Sequence, residues 1–173
     1  MKHSPLRQSL IKALTLKGCT DKTIESYVYS VRQLAAWSRK SPDIVSDDEI
    51  RAFFEDCVLN RKLSPSTCRV FLNGIVFFYK QVLNRSLVHL ELQLPKNKQT
   101  IPELLSPSEV QSIILSAPRP KYCTALKVCY GCGLRVSELV TLRISDIDSE
   151  MHTLHIHQGK GQKDRLVRIS DSL

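Results

Sequence analysis

Residues 1–92 repeat one pattern, in which a small polar residue precedes apolar residues spaced three or four positions apart. Ser4, Thr20, Ser46 and Ser64 stand at the four starts, and proline follows the first and the last of them. Serine and threonine satisfy the free N–H groups at a helix start, and proline fits the first helical position. Because this apolar period is that of a helix, the pattern predicts four helices that close a compact domain.

The pattern is interrupted at residues 93–101, which have no apolar period and predict a linker between two domains. Beyond it, Ser106 and Glu109 have the spacing of a capping box, in which each side chain bonds the other's backbone N–H. Helical spacing then continues until the glycines near residue 132. A short helix follows, with Val136, Leu139 and Val140 on one side.

The apolar period changes to two near the end of the chain. Leu154 and Ile156 alternate with His155 and His157, Val167 and Ile169 alternate with Leu166 and Arg168, and the sequence GKGQKDR separates the two runs. This arrangement predicts a β-hairpin with a cationic tip, and residues 142–148 predict a third, antiparallel strand. The predicted fold is mainly α-helical with a small antiparallel sheet. Its parts are residues 1–92, a linker at 93–101, and a partial α+β domain at 102–173.

The net charge of +8 is spread over both halves of the chain. Residues 1–95 hold 14 Lys and Arg against 9 Asp and Glu, and residues 96–173 hold 11 against 8. A basic surface favours a polyanionic partner, because each cation placed on a phosphate releases a condensed counterion. Double-stranded DNA is the expected partner, and an ordinary solvated basic surface is the alternative.

The chain has no export or membrane pattern. Polar residues interrupt the apolar ones near the N-terminus, and no run approaches the roughly 18 apolar residues of a membrane span. Six cysteines at irregular spacing lie in apolar stretches, as buried thiols do in a reducing compartment. We therefore expect a cytoplasmic protein without disulfides.

Arg135 is the first candidate for chemistry, because it follows GCG and stands between Leu134 and Val136. An arginine between apolar neighbours needs a partner, and the adjacent helix N-terminus also favours anions, so the two could form a phosphate cradle. A structural ion pair with Glu138, three residues on, is the alternative. The spacing leaves both interpretations open.

The sequences GCGLRVSELVTLRISDID and GKGQKDRLVRI together resemble the tyrosine recombinases, the DNA strand-exchange enzymes of the phage-integrase and Xer type. The resemblance extends over the whole chain and implies a SAM-like core-binding domain followed by part of the catalytic domain. By this resemblance Arg135 is the first catalytic arginine, which binds the scissile phosphate. Lys160 is then the hairpin lysine, a general acid that protonates the departing 5′ oxygen. These roles require neither a cofactor nor a metal, and we expect none.

The resemblance and the helix phase together also suggest residues that contact DNA. These are Lys22, Thr23 and Ser26 on the second helix, Thr67, Arg69 and Asn73 on the fourth, Lys96 and Lys98 in the linker, and Lys163 and Arg165 on the hairpin. Solvated polar surface is the alternative for the helical residues.

The family's remaining catalytic residues, a His-x-x-Arg box and the tyrosine nucleophile, follow the hairpin. This chain ends at Leu173, and its five tyrosines all precede the hairpin. Without a nucleophile no covalent catalysis is expected, so the chain is predicted to bind DNA without cleaving it. The apolar surfaces of residues 102–173 should also remain exposed to solvent. Exposed apolar surfaces predict self-association or contact with other recombinase subunits.

Two further interpretations differ in class. A non-enzymatic DNA-binding regulator, or a relic of a decayed integrase gene, would have the same binding surface without the reaction. A zinc module could use Cys129 and Cys132 with His155 and His157, but these histidines are two residues apart, whereas zinc-finger histidines are usually three to five apart. The zinc module is the least favoured. The recombinase family describes what the parts of the chain are built for, and the regulator or relic remains the alternative for what the isolated chain does.

Overall fold

The computed structural model describes residues 4–87, 95, 102–157 and 164–169. It divides into two compact units, Met1–Thr100 (the front unit) and Ile101–Leu173 (the second unit). Lys96 and Lys98 fall outside the described residues, as does most of the predicted linker, so the linker bounds stay a prediction. None of the described helices is both long and apolar enough to cross a membrane.

The front unit has the four predicted helices. They are α1 (Pro5–Leu16), α2 (Asp21–Ser38), α3 (Asp47–Leu59) and α4 (Pro65–Gln81), with a short 3-10 turn at Pro42–Ile44 between α2 and α3. All four predicted N-caps are confirmed in position. Ser46 and Glu49 form the reciprocal capping box, which satisfies two N–H groups that the helix leaves free.

Apolar side chains from all four helices fill the core of the front unit. Fifteen buried apolar residues form one cluster, in which Phe53 packs against Trp37, Phe54 and Phe71 at ring-centroid distances of 5.4 to 6.2 Å. Helices α2 and α4 cross closely at Gly74, where an added β-carbon would lie 3.0 Å from the β-carbon of Ser30. A larger residue would therefore force these two helices apart.

The second unit consists of three short helices and a small sheet. Its elements are α5 (Pro107–Leu115), α6 (Pro120–Gly131), α7 (Val136–Thr141), a 3-10 turn at Ile144–Asp146, and strands β1 (Ile147–Asp148), β2 (Thr153–Ile156) and β3 (Arg165–Arg168). The sheet order is β1-β2-β3 and both pairs are antiparallel, as predicted. The predicted strand at 142–148 is shorter than expected, because Asp146 accepts the backbone N–H of Arg143 and closes a turn there.

The core of the second unit is small. Its buried apolar residues are Cys132, Leu134, Leu154 and Ile156. The three apolar residues that the sequence places on one side of α7 differ in burial, since Val136 and Val140 are 72% and 74% exposed. Leu139 packs on the core, and the carboxylate of Glu138, rather than a valine, takes the inward position beside it.

Candidate functional site

Arg135 lies where α6 ends and α7 begins. Gly133 has a φ of +60°, a left-handed conformation that glycine adopts without strain, and the N–H of Leu134 bonds back to the carbonyl of Cys129 at 2.9 Å. This reversal turns the chain sharply before Arg135, which is the N-cap of α7. The two glycines of GCG thus belong to a helix end that sets the position of Arg135.

The carboxylate of Glu138 is the centre of the site and its side chain is only 5% exposed. Its Oε1 accepts from Nη1 of Arg135 and from Nη1 of Arg165, both at 2.8 Å. Its Oε2 accepts from Nη2 of Arg165 and from the backbone N–H of Arg135, also at 2.8 Å. The hydrogen bonds from Arg165, and then that from the Arg135 backbone, lower the pKa of Glu138 to about 2. Glu138 is therefore an anion at neutral pH and holds two arginines together.

The two interpretations of Arg135 are compatible in this geometry. The guanidinium forms the ion pair with Glu138 through Nη1, while the side chain as a whole remains 52% exposed. Since a guanidinium carries five N–H donors, one bond to Glu138 leaves it the capacity to bind an anion. The phosphate-binding role of Arg135 stays a prediction.

The start of α7 contributes less to the predicted phosphate cradle than the sequence suggested. The helix has only six residues, and the Glu138 carboxylate already accepts the N–H of Arg135 at this end. A carboxylate at that position opposes a second anion there. Any phosphate at this site would therefore depend on the arginine side chain rather than on the helix.

Arg165 reaches Glu138 because of the strand register. It pairs with Ile156 across β2 and β3, which places its side chain on the same face of the sheet as the buried Leu154 and Ile156. Its guanidinium binds both carboxylate oxygens of Glu138. This contact, 27 residues apart in sequence, was missed by the sequence analysis. The DNA contact predicted for Arg165 is untested, and Lys160 and Lys163 fall outside the described residues.

The predicted DNA-contacting residues of the front unit lie on adjacent helices. Ser26 of α2 and Thr67 of α4 border one open depression of about 560 Å³. The rings of Tyr29 and Phe71, 6.0 Å apart, also line it. Lys22, Arg69 and Asn73 are exposed, and Thr23 is half-buried at the start of α2. The structure thus brings Ser26 and Thr67 together, although they are far apart in sequence.

The cysteines and the histidines of the alternative zinc module make separate contacts. The thiol of Cys129 lies 3.2 Å from the carbonyl of Leu134, and Cys132 is buried in the core. His155 and His157 instead lie beside Asp164 on the outward face of the hairpin. Sequence reasoning missed Asp164, because only the strand register shows that it faces these histidines.

Comparisons with known proteins identify the family. Residues 6–88 match the phage integrase N-terminal SAM-like domain, and residues 103–173 match the phage integrase family. The chain belongs to the phage integrase family of tyrosine recombinases. It is similar to the integrase/recombinase y4qK of Sinorhizobium fredii, with 36% identity over 171 residues covering 98% of this chain and 56% of the relative. It is also 32% identical over 181 residues to the tyrosine recombinase XerD of Pseudomonas aeruginosa, covering 96% of this chain and 60% of XerD.

Solved structures of tyrosine recombinases share the fold. The Tn1549 transposon integrase in complex with transposon right-end DNA superposes with a TM-score of 0.68 at 15% identity, covering 96% of this chain and 61% of that chain. XerH bound to its difH substrate before cleavage gives a TM-score of 0.55 at 20% identity, covering 83% of this chain and 46% of that chain. The present chain spans about half the length of the curated recombinases it matches.

Proposed function

We propose that this chain binds double-stranded DNA as part of site-specific recombination of the tyrosine recombinase type. Membership of the family, positive charge in both halves and the arginine cluster around Glu138 all support this function. The Tn1549 integrase and XerH, which share the fold, were both solved with DNA. The observation that carries the proposal is the half-exposed guanidinium of Arg135, anchored at one nitrogen by a buried carboxylate.

Arg135 has the chemistry that a phosphodiester requires. Nucleophilic attack on phosphorus concentrates negative charge on the non-bridging oxygens, and a planar guanidinium can donate two parallel N–H bonds to them. Glu138 holds one nitrogen and restricts the side chain, so less conformational entropy is lost when the phosphate binds. The proposed role of Lys160, protonation of the departing oxygen, rests on the family resemblance.

We infer that these 173 residues bind a recombination site without nicking it. The tyrosines are residues 27, 29, 79, 122 and 130, all on α2, α4 or α6. Tyr79 is buried and donates its hydroxyl to the carbonyl of Pro42. A recombinase needs a tyrosine in line with the phosphate that the arginine holds, and the resemblance assigns that role to none of these five.

Affinity for duplex DNA, measured by fluorescence anisotropy over a series of salt concentrations, tests the binding proposal. Arg135→Ala should weaken binding by about 1–3 kcal/mol, the range for one charge-assisted phosphate contact. Arg119→Ala removes an exposed charge elsewhere in the same unit and serves as the matched control. If Arg135→Ala binds like the control, Arg135 is only the structural partner of Glu138.

Cleavage is tested separately with a duplex nicked near the recombination site, followed by a denaturing gel. The proposal expects no covalent protein–DNA adduct from this chain alone. A slow-migrating adduct would show that one of the five tyrosines acts as a nucleophile. The binding and cleavage results are independent of one another.

The front unit offers a second test of DNA contact. Arg69→Ala, on the exposed face of α4, should weaken binding and reduce the salt dependence by about one counterion. Arg51→Ala is the matched control, because Arg51 is a half-buried arginine of α3 whose side chain pairs with Asp48. Equal effects of the two substitutions would remove α4 from the proposed interface.

We further propose that the second unit associates with another copy or another recombinase subunit. Leu126, Tyr130, Val136, Val140 and Leu166 are apolar residues between 38% and 74% exposed, and exposed apolar side chains of this kind favour association. Sedimentation velocity at increasing protein concentration measures this association, and a monomer at every concentration would refute it.

We also propose a cytoplasmic location. The six free thiols support it, because thiols stay reduced in that compartment.

A further inference from the structure

The outward face of β2 and β3 carries a cluster of metal-ligating side chains. His155 and His157 alternate with the buried Leu154 and Ile156, so both imidazoles lie on the solvent side of β2. The register of β2 and β3 ends with the pair Ile156 and Arg165, and the next residue on each side brings Nδ1 of His157 to 3.7 Å from Oδ2 of Asp164. Two imidazoles and one carboxylate from two strands therefore converge.

The distances within this cluster suit a shared ion better than hydrogen bonds. Nε2 of His155 and Nδ1 of His157 lie 3.6 and 3.7 Å from the same oxygen of Asp164, Oδ2. Hydrogen bonds between such atoms are shorter, at about 2.7–3.2 Å. Ligands at about 2.0–2.1 Å from a tetrahedral ion lie roughly 3.3 Å apart, so the two pairs need to close by only a few tenths of an ångström.

The distance between the ligand atoms of His155 and His157 needs a larger adjustment. One ligand atom from each of the three residues can be chosen so that all lie within 4.8 Å of one another. The two imidazole rings are already 3.9 Å apart between centroids. Because the side chains of His155, His157 and Asp164 are 44% to 53% exposed, small rotations in solvent can close the site without repacking the core.

Asp146 supplies an outer contact that selects the ligating nitrogen of His157. Its side chain is 9% exposed, and its Oδ1 lies 3.3 Å from Nε2 of His157. The backbone N–H of Arg143 donates to its Oδ2 and fixes the carboxylate in place. An N–H at Nε2 directed to Asp146 leaves the lone pair of His157 on Nδ1, the nitrogen that faces Asp164. Metal-ligating histidines commonly have such a carboxylate partner.

We propose that His155, His157 and Asp164 bind one divalent transition-metal ion, with Asp146 as the outer partner of His157. Imidazole with carboxylate is a donor set for zinc, cobalt or nickel, whereas magnesium and calcium prefer oxygen ligands alone. The ion would join the adjacent ends of β2 and β3. This proposal departs from the expectation of no metal, which considered the histidines with the cysteines and not with Asp164.

The test uses the full chain with Co²⁺ as the probe, in a metal-free buffer that keeps the thiols reduced. Co²⁺ bound to nitrogen and oxygen ligands lacks the strong near-ultraviolet absorption of cobalt–thiolate bonds, so its spectrum separates this site from the six cysteines. Zinc titration by calorimetry then gives the stoichiometry and affinity. His155→Ala/His157→Ala removes two ligands, and His152→Asn, which can adopt the left-handed φ of 48° at that position, is the matched control.

One equivalent should bind without thiolate absorption, and the double variant should lose at least tenfold in affinity while the control does not. Asp146→Asn should weaken binding by about 10–100-fold, as expected for an outer partner. Binding unaffected by the double variant, a thiolate spectrum, or no saturable binding below about 100 µM would each overturn the proposal.

Nitrogen-15 spectra of the imidazoles provide a readout that does not depend on how well the variants fold. In the zinc-bound wild-type chain, Nδ1 of His157 should be metal-bound and its Nε2 protonated. The opposite assignment, or imidazole signals unchanged by zinc, would refute the arrangement.

Discussion

The two units of this chain are stabilised in different ways. Among the residues that the structure describes, the front unit buries fifteen apolar residues in one cluster, whereas the second unit buries four. The second unit in turn contains the buried Glu138 with its two arginines, and most of the large apolar residues that are exposed. A domain gains most of its stability from apolar burial. The front unit should therefore be the more stable, and the second unit should depend more on its ion pairs.

Core truncation should give the largest effect. Phe53→Ala removes a fully buried ring of the front unit and should lower its free energy of unfolding by about 3–5 kcal/mol. Leu154→Ala should cost about 2–5 kcal/mol and unfold the second unit, because it truncates one of the four apolar residues that are buried in the described part of that unit. Trp37 is the only tryptophan, and it packs on Phe53, so its fluorescence follows the front unit alone.

Hydrogen exchange measured by mass spectrometry follows both units in the same sample. The proposed difference in stability between the two units is contradicted if Leu154→Ala leaves hydrogen exchange in residues 134–157 as slow as in the wild type. It is also contradicted if Leu154→Ala shifts the fluorescence transition of Trp37.

Acid should destabilise the second unit through Glu138. The pKa of Glu138 is lowered from 4.5 to about 2, so the unfolded chain takes up a proton at a higher pH than the folded chain does. The stability due to this group is therefore fully present above about pH 5 and is lost as pH falls toward 2. Hydrogen exchange of residues 134–142 between pH 2 and 7, corrected for intrinsic rates, measures this loss.

Glu138→Gln is the matching variant for the acid experiment. It should destabilise the second unit at neutral pH, because a neutral amide replaces the anion between two arginines. The stability of the second unit should also vary less with pH between pH 2 and 5 in this variant than in the wild type. A variant that keeps the acid sensitivity of the wild type would show that other carboxylates are responsible.

Helix caps should give the smallest effect and allow a matched comparison. Ser46→Ala and Ser106→Ala break the same capping box, one in each unit, and each should cost about 1 kcal/mol of local stability. Helix α3 buries four residues, whereas α5 buries none. Ser106→Ala should therefore produce local fraying of α5, and Ser46→Ala a shift of the Trp37 transition. The reverse outcome would contradict the stability order of the units.

Helix starts could be predicted closely from sequence because their causes are local. The residues of a helix start, such as a capping serine and the glutamate three positions later, interact within one turn. The starts at Ser46 and Ser106 could therefore be predicted from the neighbouring residues alone. Alternation at Leu154 and Ile156 likewise predicted the buried face of β2. The family could be identified from GLRVSEL and GKGQKDR for a similar reason, since each motif is short and continuous.

The sequence by itself determined the helices, the hairpin and the position of Arg135 at a helix start. Only the tertiary structure decided that Glu138 binds Arg165 as well as Arg135, because that contact needs the register of β3 and the packing of the sheet on α7. The same register brought Asp164 to His155 and His157, and the fold turned Asp146 toward His157. Partners 27 residues apart meet only after the chain between them has folded, and no local pattern records which side chain will face another.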